Sequence, residues 1–317
     1  MKRFNYKNRA SRLIENAKNI ILQKYESAVL LRGAVYCQSY VKIICQMKRL
    51  SLFKSPFFKA LSCTWLLILL AGCSSSSYTL KSGSRFVFIG DSITDGDWCL
   101  GNGRPSVDRL AREWDKNHIY GHSYMAFCAA CMQADYPGQK YEFFNRGFSG
   151  NRLEHLEKRW DTDVIALRPD VVTILIGTND VSQYLSDADP GVIPDASGFD
   201  AGAWEKSYRA LLDRTLASNP DVRFVLCSPF VEKVGDKGRH ENYPVRKELV
   251  GKLSSVIKGI TSDYNAVFLP FGEMFDELQE SPDLPSEEYW IWDGIHPTYA
   301  GSWKMSKLWL ELITHLP

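Results

Sequence analysis

Residues 85–96 read RFVFIGDSITDG, an apolar run of β-prone residues that stops at a Gly-Asp-Ser turn. Runs of this kind form buried strands, and in a parallel α/β sheet the residues that follow a strand lie at the carboxyl edge, where ligands bind. Ser92 is therefore a candidate nucleophile. The alternative is a turn serine that bonds only nearby backbone, which is a common role for serine.

The rest of the chain alternates strand and helix patterns. Four further strands are predicted at 141–145, 170–176, 222–227 and 266–269, and helices at 122–134, 153–167, 204–218, 245–264, 271–279 and 299–316. The apolar run at 170–176 is typical of a parallel strand that is covered on both faces. This alternation predicts one α/β domain, a three-layer α/β/α sandwich in which a parallel five-stranded sheet lies between helices.

Two polar segments are long for simple connections and are predicted to be binding loops. One covers residues 97–121 and the other residues 181–203, which are rich in proline, glycine and aspartate. Both follow strands, so we expect them to flank the ligand crevice. The aromatic residues predicted to offer flat faces to a sugar are Trp98, Trp114, Tyr184 and Trp204.

Polar residues follow the first three predicted strands, and such residues share one crevice at the carboxyl edge of a sheet. They include Ser92, Gly150 and Asn179. Asp293 and His296 stand just ahead of the last predicted helix. Their spacing in a turn allows the carboxylate to bond one imidazole nitrogen while the other nitrogen faces outward.

These residue types suit acyl transfer. A serine hydroxyl is a weak nucleophile until a base removes its proton, and His296 is the predicted base. Asp293 is predicted to fix the histidine tautomer and to stabilise the imidazolium. The predicted oxyanion hole consists of the Ser92 and Gly150 N–H groups and the side-chain amide of Asn179. Asp91, Asp95 and Asp180 are predicted to hold the loops together through backbone hydrogen bonds.

Four sequence blocks, in family order, resemble the consensus blocks of the SGNH or GDSL-type hydrolases. They are GDSIT at 90–94, NRGFSGNR at 145–152, GTND at 177–180 and DGIHP at 293–297. The resemblance extends from about residue 85 to the C-terminus. It implies a flavodoxin-like fold, a serine esterase mechanism without metal or cofactor, and the roles given above for Ser92, Gly150, Asn179, Asp293 and His296. The Gly-x-Ser-x-Gly motif of α/β-hydrolases is absent, because Thr94 replaces its second glycine.

Charge divides the chain into two unlike parts. Residues 1–72 hold 13 Lys and Arg against 2 Asp and Glu, whereas residues 73–317 hold 25 against 35. The acidic balance of the larger part argues against a nucleic-acid partner, for which a basic stripe is expected.

A lipoprotein signal peptide is predicted at 47–72. Lysines and an arginine precede an apolar run at 61–72, which is shorter than the about 20 residues of a membrane-spanning helix. The sequence Leu-Ala-Gly-Cys73 resembles a bacterial lipobox, and the resemblance implies cleavage before Cys73 and lipid attachment to its thiol. The alternatives are an ordinary cleaved signal and an uncleaved anchor.

The predicted division of the chain has four parts. Residues 1–46 are interpreted as an over-called N-terminal extension, 47–72 as the signal, 73–84 as a flexible tether and 85–317 as the hydrolase domain. A genuine cytoplasmic extension is the alternative for residues 1–46. The protein is predicted to be exported to the bacterial cell envelope and held on a membrane by lipid at Cys73, with the leaflet left open.

Four cysteines follow the predicted lipobox: Cys99, Cys128, Cys131 and Cys227. Cys128 and Cys131 have the spacing of a metal or redox pair, but they lie in an apolar helical stripe without a second such pair. They are therefore predicted to be buried small hydrophobes rather than metal ligands. Export leaves one disulfide possible.

The sequence as a whole predicts an exported serine esterase that removes short acyl groups, foremost acetyl, from a carbohydrate. Its expected partner is a small-molecule or oligosaccharide ester. A lysophospholipase or general carboxylesterase is the alternative within the same class. A non-catalytic glycan-binding protein on the same scaffold is the alternative from another class, and the intact residues at all five site positions argue against it.

Overall fold

The computed structural model describes residues 79–100, 109–264 and 266–313. Cys73, the predicted signal at 47–72, the extension at 1–46 and the first part of the tether lie outside the described residues. No helix within the described ranges is long and apolar enough to cross a membrane.

Five parallel strands form the sheet. They are β1 (Arg85–Gly90), β2 (Glu142–Gly147), β3 (Val171–Leu175), β4 (Arg223–Cys227) and β5 (Ala266–Leu269). Their order across the sheet is β2-β1-β3-β4-β5. The predicted α/β class and the five-stranded parallel sheet are therefore confirmed.

Helices connect the strands and cover both faces of the sheet. The helices are α1 (Ser92–Asp95), α2 (Tyr124–Asp135), α3 (Leu153–Asp163), α4 (Thr178–Ser186), α5 (Ala201–Ser218), α6 (Gly235–Gly238), α7 (Tyr243–Thr261), α8 (Phe271–Gln279) and α9 (Tyr299–Ile313). Phe86 and Phe88 contact Trp309 of α9 on one face, where α9 also packs against α2. Side chains alternate along a strand, so Val87 and Ile89 face the opposite layer, where α3, α5 and α7 pack together.

The register of the sheet brings the ends of three strands to one level. Gly90 is paired with Gly147 of β2 and with Leu175 of β3. A side chain at position 90 would not fit, because its Cβ would lie 2.2 Å from the carbonyl oxygen of Leu175. The segments that follow β1, β2 and β3 therefore start from the same edge of the sheet.

The prediction of a long loop at 181–203 is wrong. Helix α4 occupies its first part, and α5 already begins at Ala201, so the connection between the two helices covers only residues 187–200. Val181 and Leu185 are buried one helical turn apart, and this spacing is the helix signal that the sequence contained. The glycines, prolines and aspartates that suggested a long loop mostly belong to the shorter connection.

Candidate active site

Ser92 opens the one-turn helix α1 directly after β1. The carboxylate of Asp91 caps this helix, because its Oδ1 accepts a hydrogen bond from the N–H of Ile93 at 3.0 Å. Gly96 ends the turn with a φ of +52°, a left-handed conformation that glycine adopts without steric cost. The short turn fixes Ser92 at the sheet edge, where its side chain is only partly buried.

A continuous chain of hydrogen bonds links Ser92, His296 and Asp293. The Ser92 Oγ lies 2.7 Å from His296 Nε2, and His296 Nδ1 lies 2.7 Å from Asp293 Oδ2. An ionised carboxylate only accepts hydrogen bonds, so Nδ1 carries the proton in this contact and Nε2 is free to accept from the serine hydroxyl. This tautomer is the one that a histidine needs to act as a base toward serine.

The segment that carries Asp293 and His296 is a closed loop. Its ends are joined by a bridge between Ile291 and Pro297, and the Trp292 N–H donates to the carbonyl oxygen of His296 at 3.1 Å. Inside the loop, Asp293 Oδ1 accepts from the backbone N–H groups of Ile295 at 2.9 Å and His296 at 2.7 Å. Backbone contacts thus hold the two side chains in register before any substrate binds.

Asp293 is stabilised in its ionised form. Burial alone would raise its pKa, but hydrogen bonds from the His296 ring, the Lys237 ammonium and the backbone N–H groups of His296 and Ile295 hold the pKa of Asp293 well below its usual range. A carboxylate that stays charged keeps its partner histidine correctly oriented over a wide range of pH.

The pKa of Asp91, next to the serine, is shifted in the opposite direction. Complete burial raises the pKa of Asp91 to about 7, although the Ile93 N–H and the nearby His296 act in the other direction. Its role in the structure is the helix cap described above. A buried carboxyl group that titrates near neutral pH therefore lies between the sheet and the proposed nucleophile.

The predicted oxyanion donors come from three different segments. The Ser92 N–H lies in the first turn of α1, where helix N–H groups have no intrahelical acceptor. Asn179, in the first turn of α4, donates one amide hydrogen from Nδ2 to the carbonyl oxygen of Asn151 at 3.1 Å, which orients the group and leaves its second hydrogen for another acceptor. Gly150 has a φ of +79°, and open space surrounds the position of a Cβ there. The glycine is therefore required by its backbone conformation.

Asp95 and Asp180 hold the surrounding loops together, as predicted. Asp95 Oδ2 accepts from the Ser149 N–H at 2.9 Å, and its Oδ1 lies 2.6 Å from Arg109 Nη1 in a buried ion pair. Asp180 Oδ1 accepts from the Leu153 N–H at 3.1 Å, which ties α4 to the start of α3. Both carboxylates connect the segments that carry the proposed oxyanion donors.

Two of the tryptophans predicted to face a sugar are structural. Trp98 is fully buried and donates from Nε1 to the carbonyl oxygen of Gly147 at 2.9 Å. Trp204 is 7% exposed and donates to Asp180 Oδ1 at 3.0 Å. Each indole is buried and donates its N–H to an acceptor in the segments around the site. Because the rings are buried, neither offers a free face to a ligand. Trp114 is exposed.

Trp292 is an aromatic residue that lies beside the site. Its side chain is 57% exposed, and its ring lies nearly parallel to that of His296, at 24° with centroids 6.2 Å apart. It stands directly before Asp293 and the DGIHP block. Sequence reasoning missed Lys237, because no recognised block contains it.

The cysteines take no part in the hydrogen bonds that link Ser92, His296 and Asp293. Cys99, Cys128 and Cys227 are buried and Cys131 is half-buried, and all four are free thiols. Burial raises the pKa of the Cys128 and Cys227 thiols, which disfavours the reactive thiolate. Within the described ranges no group of three or more His, Cys, Asp or Glu side chains is arranged to hold a metal ion.

Serine, histidine and aspartate in series at the edge of a parallel sheet define a class of protein, the serine hydrolases. Residues 88–304 match the model of the GDSL-like Lipase/Acylhydrolase family, and the chain belongs to this family. It is a serine-dependent carboxylic ester hydrolase.

Two curated relatives are esterases. The chain is 31% identical to an acetylxylan esterase of Geobacillus stearothermophilus over 236 residues, which cover 74% of this chain and 95% of that protein. It is 26% identical to a multidomain esterase of Ruminococcus flavefaciens over 196 residues, which cover 56% of this chain and 22% of that protein.

Solved structures support the same fold. A putative GDSL-like lipase from Parabacteroides merdae superposes with a TM-score of 0.56 at 29% identity, over 76% of this chain and 100% of that one. The Geobacillus acetylxylan esterase superposes with a TM-score of 0.55 at 29% identity, over 74% of this chain and 96% of that one. Catalytic mutants of the latter enzyme replace a serine, an aspartate and a histidine.

Proposed function

We propose that the protein is an esterase that removes acetyl groups from a carbohydrate, with Ser92, His296 and Asp293 as its catalytic triad. The observation that carries the proposal is the hydrogen-bonded series from Ser92 Oγ through His296 to Asp293, with 2.7 Å at each step. These distances are those of a nucleophile within reach of its base and of a base oriented by a carboxylate.

The proposed reaction has two halves. His296 Nε2 takes the hydroxyl proton while Ser92 Oγ attacks the ester carbonyl, and the resulting imidazolium then gives the proton to the departing sugar oxygen. Water next attacks the acetyl-enzyme with His296 again as base, and acetate leaves as Ser92 is restored. Asp293 remains ionised throughout, because its four hydrogen bonds stabilise the charged carboxylate.

The negative charge on the tetrahedral intermediate requires donors. We assign this role to the N–H groups of Ser92 and Gly150 and to the side-chain amide of Asn179. The bond from Asn179 to Asn151 pre-orients that amide, so little reorganisation is needed during the reaction. Each such donor is worth roughly 3 kcal/mol of barrier in enzymes where one has been removed.

Two considerations favour a sugar ester. This chain matches 95% of the length of the acetylxylan esterase relative, so the likeness extends over nearly the whole of that protein. Trp292 presents an exposed ring beside His296, the residue that protonates the leaving group. The leaving alcohol must therefore come close to this indole, and the apolar face of a sugar ring is suited to stack on it.

Hydrolysis of longer acyl esters, such as lysophospholipids, is the second candidate. One observation favours it, since the connection after α4 exposes two aliphatic side chains, Val192 and Ile193. The cavity at this connection is lined as well by Asp189, His240 and Glu241, which are poor neighbours for an acyl chain.

A substrate panel tests the choice between these functions. Initial rates are measured on acetylated xylo-oligosaccharides, p-nitrophenyl acetate, p-nitrophenyl esters of longer acids, and lysophosphatidylcholine. The proposal predicts the highest kcat/KM on the acetylated oligosaccharides and a fall in rate as the acyl chain lengthens. A higher kcat/KM on lysophosphatidylcholine would overturn the carbohydrate assignment. Binding of oligosaccharides without hydrolysis of any ester would indicate a glycan-binding protein.

We also propose export and anchoring by lipid on Cys73, supported by the lipobox-like sequence at 70–73. Full-length protein and a version starting at Met47 are expected to yield the same mature, membrane-associated species when produced in a bacterium that processes lipoproteins. Cys73→Ala should abolish lipid incorporation, whereas Cys63→Ala should not. Recovery of residues 1–46 in the membrane-associated protein would contradict the assignment of the start.

A further inference from the structure

Lys237 forms a direct contact with the aspartate of the proposed triad. Its Nζ lies 2.8 Å from Asp293 Oδ2, the same oxygen that His296 Nδ1 approaches. We propose that Lys237 is a positioning residue of this active site, which holds the Asp293 carboxylate in the orientation that His296 needs. The inference rests on the proposed function, since it concerns the same site.

The first argument is the saturation of the Asp293 carboxylate. An ionised carboxylate offers about four good acceptor positions. Oδ1 takes the backbone N–H groups of Ile295 and His296, and Oδ2 takes the His296 ring and the Lys237 ammonium. Of these four donors, only the Lys237 ammonium lies outside the loop that carries Asp293. Its loss therefore leaves Oδ2 with the histidine alone.

The second argument is that backbone contacts place Lys237 there. Its own N–H donates to the carbonyl oxygen of Asp293 at 3.0 Å, and the Glu232 N–H donates to that of Gly294 at 2.8 Å. Gly235, with a φ of +57°, lies so close to the loop that a Cβ would be 2.5 Å from Asp293 Cα. A tightly packed segment therefore places the lysine next to the carboxylate, even though the lysine side chain is 44% exposed.

The third argument is electrostatic. The Lys237 ammonium and the His296 ring bond the same carboxylate oxygen of Asp293. Burial opposes the charge on this carboxylate, but the hydrogen bonds from the His296 ring and from Lys237, in that order of size, hold the pKa of Asp293 below its usual range. Lys237 therefore helps to keep ionised the carboxylate that orients His296.

Other charged groups lie in the segments around this contact. Asp91 lies on the Ser92 side, with its pKa raised to about 7 by burial, and Asp180 of α4 interacts electrostatically with Asp91. Asp236 is an exposed neighbour of Lys237 on its own segment. These groups are the same in wild type and in variants at position 237, so a comparison of the variants isolates the lysine.

Three variants test the inference: Lys237→Met, Lys237→Arg and Lys233→Met. Lys233 is an exposed lysine of the same segment, so its replacement makes the same change in net charge away from Asp293. For each, kcat, KM and Tm are measured, with p-nitrophenyl acetate as substrate. We expect Lys237→Met to lower kcat several-fold with little change in KM, a modest effect because the lysine is partly solvated. Lys237→Arg should keep most of the activity, and Lys233→Met should match wild type.

An unchanged kcat in Lys237→Met overturns the inference, and so does an equal loss in Lys233→Met. Lys237→Gln, which removes the charge but keeps an N–H donor, provides the same kinetic test should the methionine variant fold poorly. Ser92→Ala is assayed in parallel. Activity in Ser92→Ala contradicts the proposed function, whereas an inactive Ser92→Ala with a wild-type kcat for Lys237→Met contradicts the role of Lys237 alone.

Discussion

The indole ring of Trp292 lies against the imidazole ring of His296, with 24° between the planes. This contact places an exposed aromatic side chain beside His296, the residue proposed to protonate the leaving group. We expect Trp292→Ala to reduce kcat/KM on acetylated oligosaccharides at least tenfold more than on p-nitrophenyl acetate, whose leaving group is smaller and planar. Rates on the two substrates provide the measurement.

Trp98→Ala and Trp204→Ala are the matched controls for this prediction. Both side chains are buried, and loss of a buried tryptophan costs about 3–5 kcal/mol of unfolding free energy. These variants should lose stability and activity on both substrates to a similar degree. Equal losses of kcat/KM on both substrates in Trp292→Ala, together with a lowered Tm, would mean that Trp292 supports the fold and does not contact the sugar.

Asn179→Ala is expected to lower kcat about 100-fold with little change in KM. The reason is that the proposed hydrogen bond from the Asn179 amide is stronger to the oxyanion of the transition state than to the ester carbonyl of the ground state. Steady-state kinetics on p-nitrophenyl acetate measure the effect. Asn117→Ala, at an exposed asparagine, is the control. A rise in KM at unchanged kcat would show that Asn179 only positions substrate.

The ion pair of Arg109 with Asp95 is expected to stabilise the loops around the site. Both side chains are 2% exposed, and removal of one partner leaves the other charge buried. Arg109→Met should therefore lower the unfolding free energy by about 3–5 kcal/mol, measured by denaturant titration. Arg112→Met, at a more exposed arginine, should have a much smaller effect. Comparable losses in the two variants would contradict this account.

Asp91 gives a pH-dependent prediction for stability. Burial raises its pKa from 3.8 to about 7, so between these pH values the folded state binds a proton that the unfolded state has released. This group therefore favours folding at low pH, and its contribution is lost as the pH rises to about 7. Asn cannot ionise, so the Tm of Asp91→Asn relative to wild type should rise across this range. A Tm difference that is independent of pH would contradict the burial of an ionisable Asp91.

The fold could be predicted from the sequence, and so could the fact that the segments of the site lie close together. Both depend on local patterns. Apolar runs marked the strands, and parallel pairing brings the residues that follow them to one edge, as the pairing of Gly90 with Gly147 shows. The contact between Ser92 and His296 joins residues 204 positions apart, and motif order together with sheet topology was enough to anticipate it.

Such local patterns did not predict which side chains are buried or which separate segments come into contact. The sequence near Trp98 and Trp204 is polar, which suggested exposed rings, yet both side chains are buried and each indole N–H donates to an acceptor within the fold. Lys237 reaches Asp293 only because the segment after β4 packs against a loop 56 residues later. Contacts of this kind depend on tertiary packing and leave no periodic signal in the chain.

The nucleophile is the centre of this account, and Ser92→Ala tests it most directly. Wild type and variant are compared for acetate release from an acetylated xylo-oligosaccharide, with circular dichroism and Tm as controls for folding. The account predicts a folded variant whose kcat is reduced by at least 1,000-fold, on the order of the losses seen when triad residues are removed from other serine hydrolases. A folded Ser92→Ala variant that retains most of the wild-type rate would contradict it.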